Sequence, residues 1–239
     1  PASTPRTPPA LPGDVVTEIR RLGERLTQHR REKLVRAMGT AVEDYGRRRY
    51  EDARKALRPL LESVPDAASV QEIAGLVAYH LGRWKDAVEY LSRYEASSAD
   101  LSHRAVLMDA ERALRHHRRV DELFEELRQE TPPADLLAEA RIVMAGSLAD
   151  RNEVQAAIVT LTKGGAARAV RNPASRHLRQ WYALADLYER GGDLVRAREL
   201  YARILSFEPD AYDAAERLAE LGGGPRPRKP RQRQRATKA

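Results

Sequence analysis

The chain has 239 residues, 32% of them charged and 5% aromatic, with a formal net charge of +7 and no cysteine. Disulfides, thiol chemistry and cysteine-ligated zinc are therefore excluded, and no run approaches the roughly 18 apolar residues a membrane span needs. The charge is unevenly placed. From Gly222 onward there are seven bases and no acid, residues 1–33 are +3, and residues 34–221 are −3, so the basic character lies at the ends. No secretory h-region precedes Pro12, and a cytoplasmic location is the expectation. A start at Pro1 rather than Met suggests a processed or truncated piece of something longer.

Residues 1–13 (PASTPRTPPALPG) are too rich in Pro and too poor in apolar surface to pack and are expected to be disordered. Asp14 is placed to cap a first helix, on which Val15, Ile19, Leu22 and Leu26 form a stripe at helical spacing. From Leu34 a pattern recurs. It is clearest between Leu178 and Ala211, where Trp181, Leu184, Ala185 and Tyr188 are followed by Ala197, Tyr201 and Pro209. Trp181, Leu184 and Tyr188 recur at three and four, one apolar stripe on a helix. Ala185 and Ala197 let two antiparallel helices approach closely. Gly191-Gly192-Asp193 makes the turn between them, and Pro209 stops the second.

The same register runs through the chain in four earlier units. Residues 34–67 carry Tyr50, Ala53, Leu57 and Pro65 at matching positions, and 68–101 carry Gly75, Gly82, Trp84, Ala87 and Leu91. Residues 104–137 keep Ala110, Leu114, Val120, Leu123 and Leu127, with His116 to Arg119 expected to fill the turn. Residues 138–171 keep Met144, Ala145, Leu148, Val154, Ala157 and Leu161, with Asn152 at the turn. Gly164-Gly165 should cut the fourth unit's second helix short, and Asn172-Pro173 marks a joint before the fifth. Tyr212 to Leu221 repeats the first-helix pattern with one polar face, as a terminal cap requires. Residues 222–239 form a Pro/Arg tail that cannot bury anything and is expected to be disordered.

The unit at 178–211, the stretch GLVAYHLGRWKDAVEYL and the closing AAERLAEL resemble the tetratricopeptide repeat (TPR) family. With its basic, Pro-rich flanks, the chain is similar to TPR proteins of high-GC bacteria, an origin that would also account for 36 Arg against 6 Lys. The resemblance covers residues 14–221. It implies an all-α solenoid, a right-handed superhelix of about five antiparallel helix pairs with an added helix at each end. It also implies a non-enzymatic scaffold that binds a peptide or protein in a groove lined by first helices. In register, that groove should carry Met38, Tyr45, Leu76, Tyr79, His80, Met108, Arg112, Arg115, Tyr182 and Asp186, with Val42, Ile142 and Glu189 beside them. TPR domains that clamp a C-terminal carboxylate use a Lys, Asn and Arg set; only Arg112 and Arg115 resemble it, so no such clamp is expected.

Other chemistries find little support. His116 and His117 are neighbours, about 100° apart on a helix, and no HxxxH pair stands beside them, so no metal is expected. There is no GxSxG, P-loop or GxGxxG motif, and no catalytic residue or cofactor is expected. The tail residues Arg226, Arg228, Lys229, Arg231, Arg233 and Arg235 give a second reading, weak nucleic-acid contact through phosphates in an RNA- or ribosome-associated protein. No aromatic is interleaved with them for base stacking. A third reading is self-assembly through the irregular third and fourth units.

Overall fold

The computed structural model describes residues 11–222. Among these there are twelve helices and no strand: α1 Gly13–Leu22, α2 Gln28–Gly46, α3 Tyr50–Ser63, α4 Ala68–His80, α5 Trp84–Ser98, α6 Arg104–Ala113, α7 His117–Gln129, α8 Ala134–Asp150, α9 Val154–Lys163, α10 Ser175–Arg190, α11 Leu194–Phe207 and α12 Ala214–Glu220. The expected tail residues from Arg226 to Arg235, and the Pro-rich start before Leu11, lie outside the described residues.

Five helix pairs share one turn. Its central residue is left-handed, at Arg48, Gly82, Arg115, Asn152 and Gly192, with φ between 58° and 81°. The next residue donates its N–H five residues back, as Arg49 to Asp44, Arg83 to Ala78, His116 to Glu111, Glu153 to Leu148 and Asp193 to Tyr188, all at 2.8–3.0 Å. This is the Schellman closure, which satisfies carbonyls a helix end would otherwise leave unpaired. Only two of the five turns use Gly, for which φ > 0 is free; the Arg and Asn turns carry strain that packing must outweigh.

These turns correct the register of the third pair. Arg48, Gly82, Asn152 and Gly192 fall where the sequence places them, but the third turn is at Arg115, three residues before its expected position. Leu101–His103 delays the start of α6, which is only ten residues long. His116 is a helix cap and His117, Arg118 and Arg119 belong to α7 rather than to the turn. α1 likewise starts at Gly13, with Asp14 in its first turn rather than at the cap.

The chain divides into two compact units, Pro1–Ala140 and Arg141–Ala239. In the first, α1 to α5 enclose a core in which Ile19, Leu34, Met38, Leu57, Leu60 and Val70 are among the buried members. Gly75 permits the closest approach: a Cβ there would stand 2.6 Å from Leu91 Cγ. Glu18 of α1 reaches the start of α4 and accepts from the N–H groups of Ala68 and Ser69 at 2.7 and 3.1 Å. A carboxylate at a helix N-terminus meets both the unpaired donors and the positive end of the dipole. In the second unit Trp181, Leu184, Ala185, Ala197, Tyr201 and Ile204 form the core, with Trp181 1% exposed. α9 ends at Gly164, where a Cβ would meet Arg141 Cδ at 2.6 Å, and Gly165 is left-handed. Ala166 follows it back into the core at 2% exposure.

Candidate functional site

Counting back from each left-handed turn residue aligns the first helices. Tyr45 of α2, Tyr79 of α4 and Arg112 of α6 are equivalent, each three residues before its turn. In the unit Pro1–Ala140, α2 and α6 both contact α4, so these positions sit on neighbouring helices. Around them runs a chain of rings. Tyr50 stacks on His80 with centroids 4.4 Å apart and planes 7° apart. Tyr45 lies 5.8 Å from Tyr50 and 5.7 Å from His80. Tyr79 adjoins His80 at 5.7 Å and Trp84 edge-on at 5.5 Å. His80 is exposed and the other four are half-buried. Five rings in one run, each with a polar edge, make a surface of the kind that dominates interface energetics.

Polar contacts hold this surface in place. Tyr79 Oη donates to Asp109 Oδ2 at 2.6 Å, and Arg112 Nε donates to Asp109 Oδ1 at 3.0 Å. Burial, and then the bond to Asp109, raises the Tyr79 pKa, so its phenol stays protonated. Partial desolvation among the neighbouring rings and the nearby Arg48 cation lower that of His80, which therefore presents a neutral ring near pH 7.

The ten groove residues expected from the sequence fall into four groups. Tyr45, Tyr79, His80 and Arg112 come together on the α2–α4–α6 face. Met38, Leu76 and Met108 are core, at 2%, 9% and 0% exposure, and cannot meet a ligand directly. Met108 is internal because the true register puts it where Gly75 and Ala185 stand. The same slip puts Arg115 in the turn, exposed and left-handed, rather than on the helix face.

Tyr182 and Asp186 belong to the second unit, where α12 occupies them. Tyr182 Oη donates to Asp213. Arg217 Nη2 lies 3.4 Å from Asp186 Oδ1 and 3.0 Å from Glu189 Oε2, and Arg190 Nε is 2.8 Å from Asp186 Oδ2. Tyr212 packs its ring 4.7 Å from that of Tyr182. The closing half-repeat thus seats on the positions a ligand would need. Of the flanking residues, Val42 and Ile142 are half-buried.

The sequence reading missed Tyr50, Trp84 and Asp109 as members of the site. Tyr50 and Trp84 were legible only as first residues of second helices, and Asp109 was hidden by the register slip. It also missed that polar residues replace the apolar consensus inside the repeats. Arg104 and Gln71 stand where Trp181 stands, and Glu111 and Asp44 where Tyr188 stands, all four under 9% exposed. Each carboxylate has a side-chain partner just past its turn: His116 Nδ1 is 2.7 Å from Glu111 Oε2, and Arg49 pairs with Asp44. No cluster of His, Asp and Glu able to hold a metal ion occurs among the described residues.

The tetratricopeptide repeat family matches in two places, residues 39–101 and 178–221. The chain thus carries tetratricopeptide repeats in these two segments. Its fold is the all-α TPR solenoid, and a thermophilic TPR protein of Thermus thermophilus shares it. That crystal structure is 20% identical, with a TM-score of 0.60 over 77% of this chain and 96% of the other. No curated protein matches the sequence. TPR repeats mediate protein–protein interactions in general, and proteins built of them are typically non-enzymatic scaffolds. Among the described residues no helix is long and apolar enough to cross a membrane.

Proposed function

We propose that this TPR protein is an adaptor that captures a peptide or protein segment on the α2–α4–α6 face, as part of a cytoplasmic assembly. The observation that carries the reading is the run of rings Tyr45, Tyr50, His80, Tyr79 and Trp84, partly exposed and braced by Asp109. Aromatic side chains lose little conformational entropy on binding and bring large contact area, so a rigid run of them is an efficient anchor. A segment with apolar or proline side chains fits such a surface best. Arg112 serves as a positioning residue, since it orients Asp109 and through it the Tyr79 hydroxyl. In this reading residues 14–221 are the binding body, and residues 1–13 and 222–239 are flanks that contribute little affinity.

The test is photo-crosslinking from a benzophenone amino acid at position 80, followed by calorimetry with the purified partner. Tyr45→Ala/His80→Ala should weaken binding at least tenfold while leaving Tm within about 2 °C, as expected for partly exposed side chains. Unchanged affinity in that variant would overturn the proposal. So would an interaction that weakens steeply with salt and disappears on removal of residues 223–239, the pattern nucleic acid would give.

A further inference from the structure

A pocket lies between α3, α4 and α5, with no lining residue from α2 or α6. Its volume is about 390 Å³, within the size range of small-molecule sites. Its origin can be read from the aligned repeats. Ala74 stands where the fifth repeat has Leu184 and the third has Leu107. Ala78 stands where the fifth has Tyr188. Two side chains that are large in the fifth repeat are methyl groups here, and Leu57, Val77 and Tyr90 complete an apolar lining. Ala74 and Ala78 are 3% and 4% exposed, so the pocket floor is part of the core.

The rim is charged and asymmetric. Arg54, Lys55, Arg58 and Arg83 line the pocket against two carboxylates, Glu62 and Asp86. Each of the four cations has a partner on its own side of the pocket: Arg54 with Glu51, Lys55 with Asp52, Arg58 with Glu62 and Arg83 with Asp86, at 2.6–3.3 Å. These are exposed pairs one turn apart, of a kind that contributes little and rearranges readily. Glu51 and Asp52 do not line the pocket, so an anion that binds Arg54 over the apolar floor displaces a weakly held partner standing outside it.

We propose that this pocket binds a small amphipathic anion, an aryl or medium-chain acyl carboxylate. Its apolar body takes the space left by the two alanines, and its carboxylate lies at Arg54 and Arg58. Octanoate and its neutral counterpart 1-octanol are the probes, titrated into the full chain and followed by backbone amide NMR shifts. Octanoate should bind saturably, below its micelle concentration, with shifts centred on Ala74, Val77 and Ala78, and at least tenfold tighter than octanol. Arg54→Gln/Arg58→Gln should bring octanoate down to the affinity of octanol. Ala78→Tyr, restoring the side chain of the fifth repeat, should abolish binding of both, and Ala74→Leu provides a second filling variant if that one does not fold. Shifts that do not saturate or that map elsewhere would overturn the proposal. So would equal affinity for acid and alcohol, or binding that survives a folded filling variant. None of these outcomes bears on the aromatic face.

Discussion

Replacing Arg104 with Ala should be among the most damaging substitutions in this chain. Arg104 stands at the Trp position of the third repeat and is 7% exposed. Its Nε donates to both oxygens of Glu95 at 3.0 Å, its Nη2 lies 2.9 Å from Glu95 Oε2, and its Nη1 donates to Glu126 Oε2 at 2.9 Å and to the Leu123 carbonyl at 3.3 Å. One guanidinium thus ties α5, α6 and α7 together. Both side chains of the Arg104–Glu95 pair are 9% exposed, whereas Glu126 is half exposed and can return to water. Removing the cation strands a buried carboxylate, which typically costs about 3–5 kcal/mol. For a chain of this size that is a fall in Tm of about 6–20 °C.

The loss should depend on pH in a definite direction. Burial already raises the Glu95 pKa above its ordinary 4.5, and the bond and charge of Arg104 oppose that rise. Without Arg104 the folded-state pKa climbs further. The folded state then holds more protons than the unfolded one between the two pKa values, so the penalty is full above the folded value and fades as pH falls toward the unfolded one. Melts followed by helical circular dichroism at pH 8 and pH 5 should show the deficit shrinking at pH 5. Arg104→Met/Glu95→Leu, which removes both charges, should recover most of the loss. A single variant that costs under about 1 kcal/mol, or a deficit identical at both pH values, would refute this account of the third repeat.

Gly75→Ala should destabilise by about 1–3 kcal/mol in urea melts, because the new Cβ would stand 2.6 Å from Leu91 Cγ and force α4 and α5 apart. Trp181→Ala should cost about 3–5 kcal/mol, since the ring is 1% exposed; an unchanged melt would place it outside the core. Hydrogen exchange should open residues 163–177 before α9 and α10, because the segment lacks helix apart from its two ends and buries little beyond Ala166. Equal protection there would mean that the joint is packed as firmly as the helices it links.

Periodicity and turn chemistry made the helix pairs legible, because each repeat must bury an apolar stripe and end at a backbone position that favours Gly or Asn. Where those signals were strong, at Gly82, Asn152 and Gly192, the turns fall as read. Arg115 gives no such signal: a left-handed Arg is visible only in the backbone. Missing it shifted α6 by three residues, which sent Met108 to the groove on paper and hid Asp109. The polar core escaped notice for a related reason. Arg104 and Glu111 look like surface residues in isolation, and only partners brought close by the fold, Glu95 and His116, make their burial tolerable. Tyr182 and Asp186 do have the residue types of a binding wall. That α12 would seat on them depends on where the chain turns after Pro209, which the repeat pattern does not encode.

The central claim, a binding face of rings carried by α2 to α5 and braced from α6 by Asp109, is tested most directly by the affinity of the partner crosslinked at position 80. It should be measured against the intact chain, Tyr45→Ala/His80→Ala, and a chain lacking residues 223–239. The account predicts at least a tenfold loss in the double variant, no more than about twofold in the truncated chain, and weak dependence on salt. Full affinity in the double variant, with loss in the truncated chain, would contradict it.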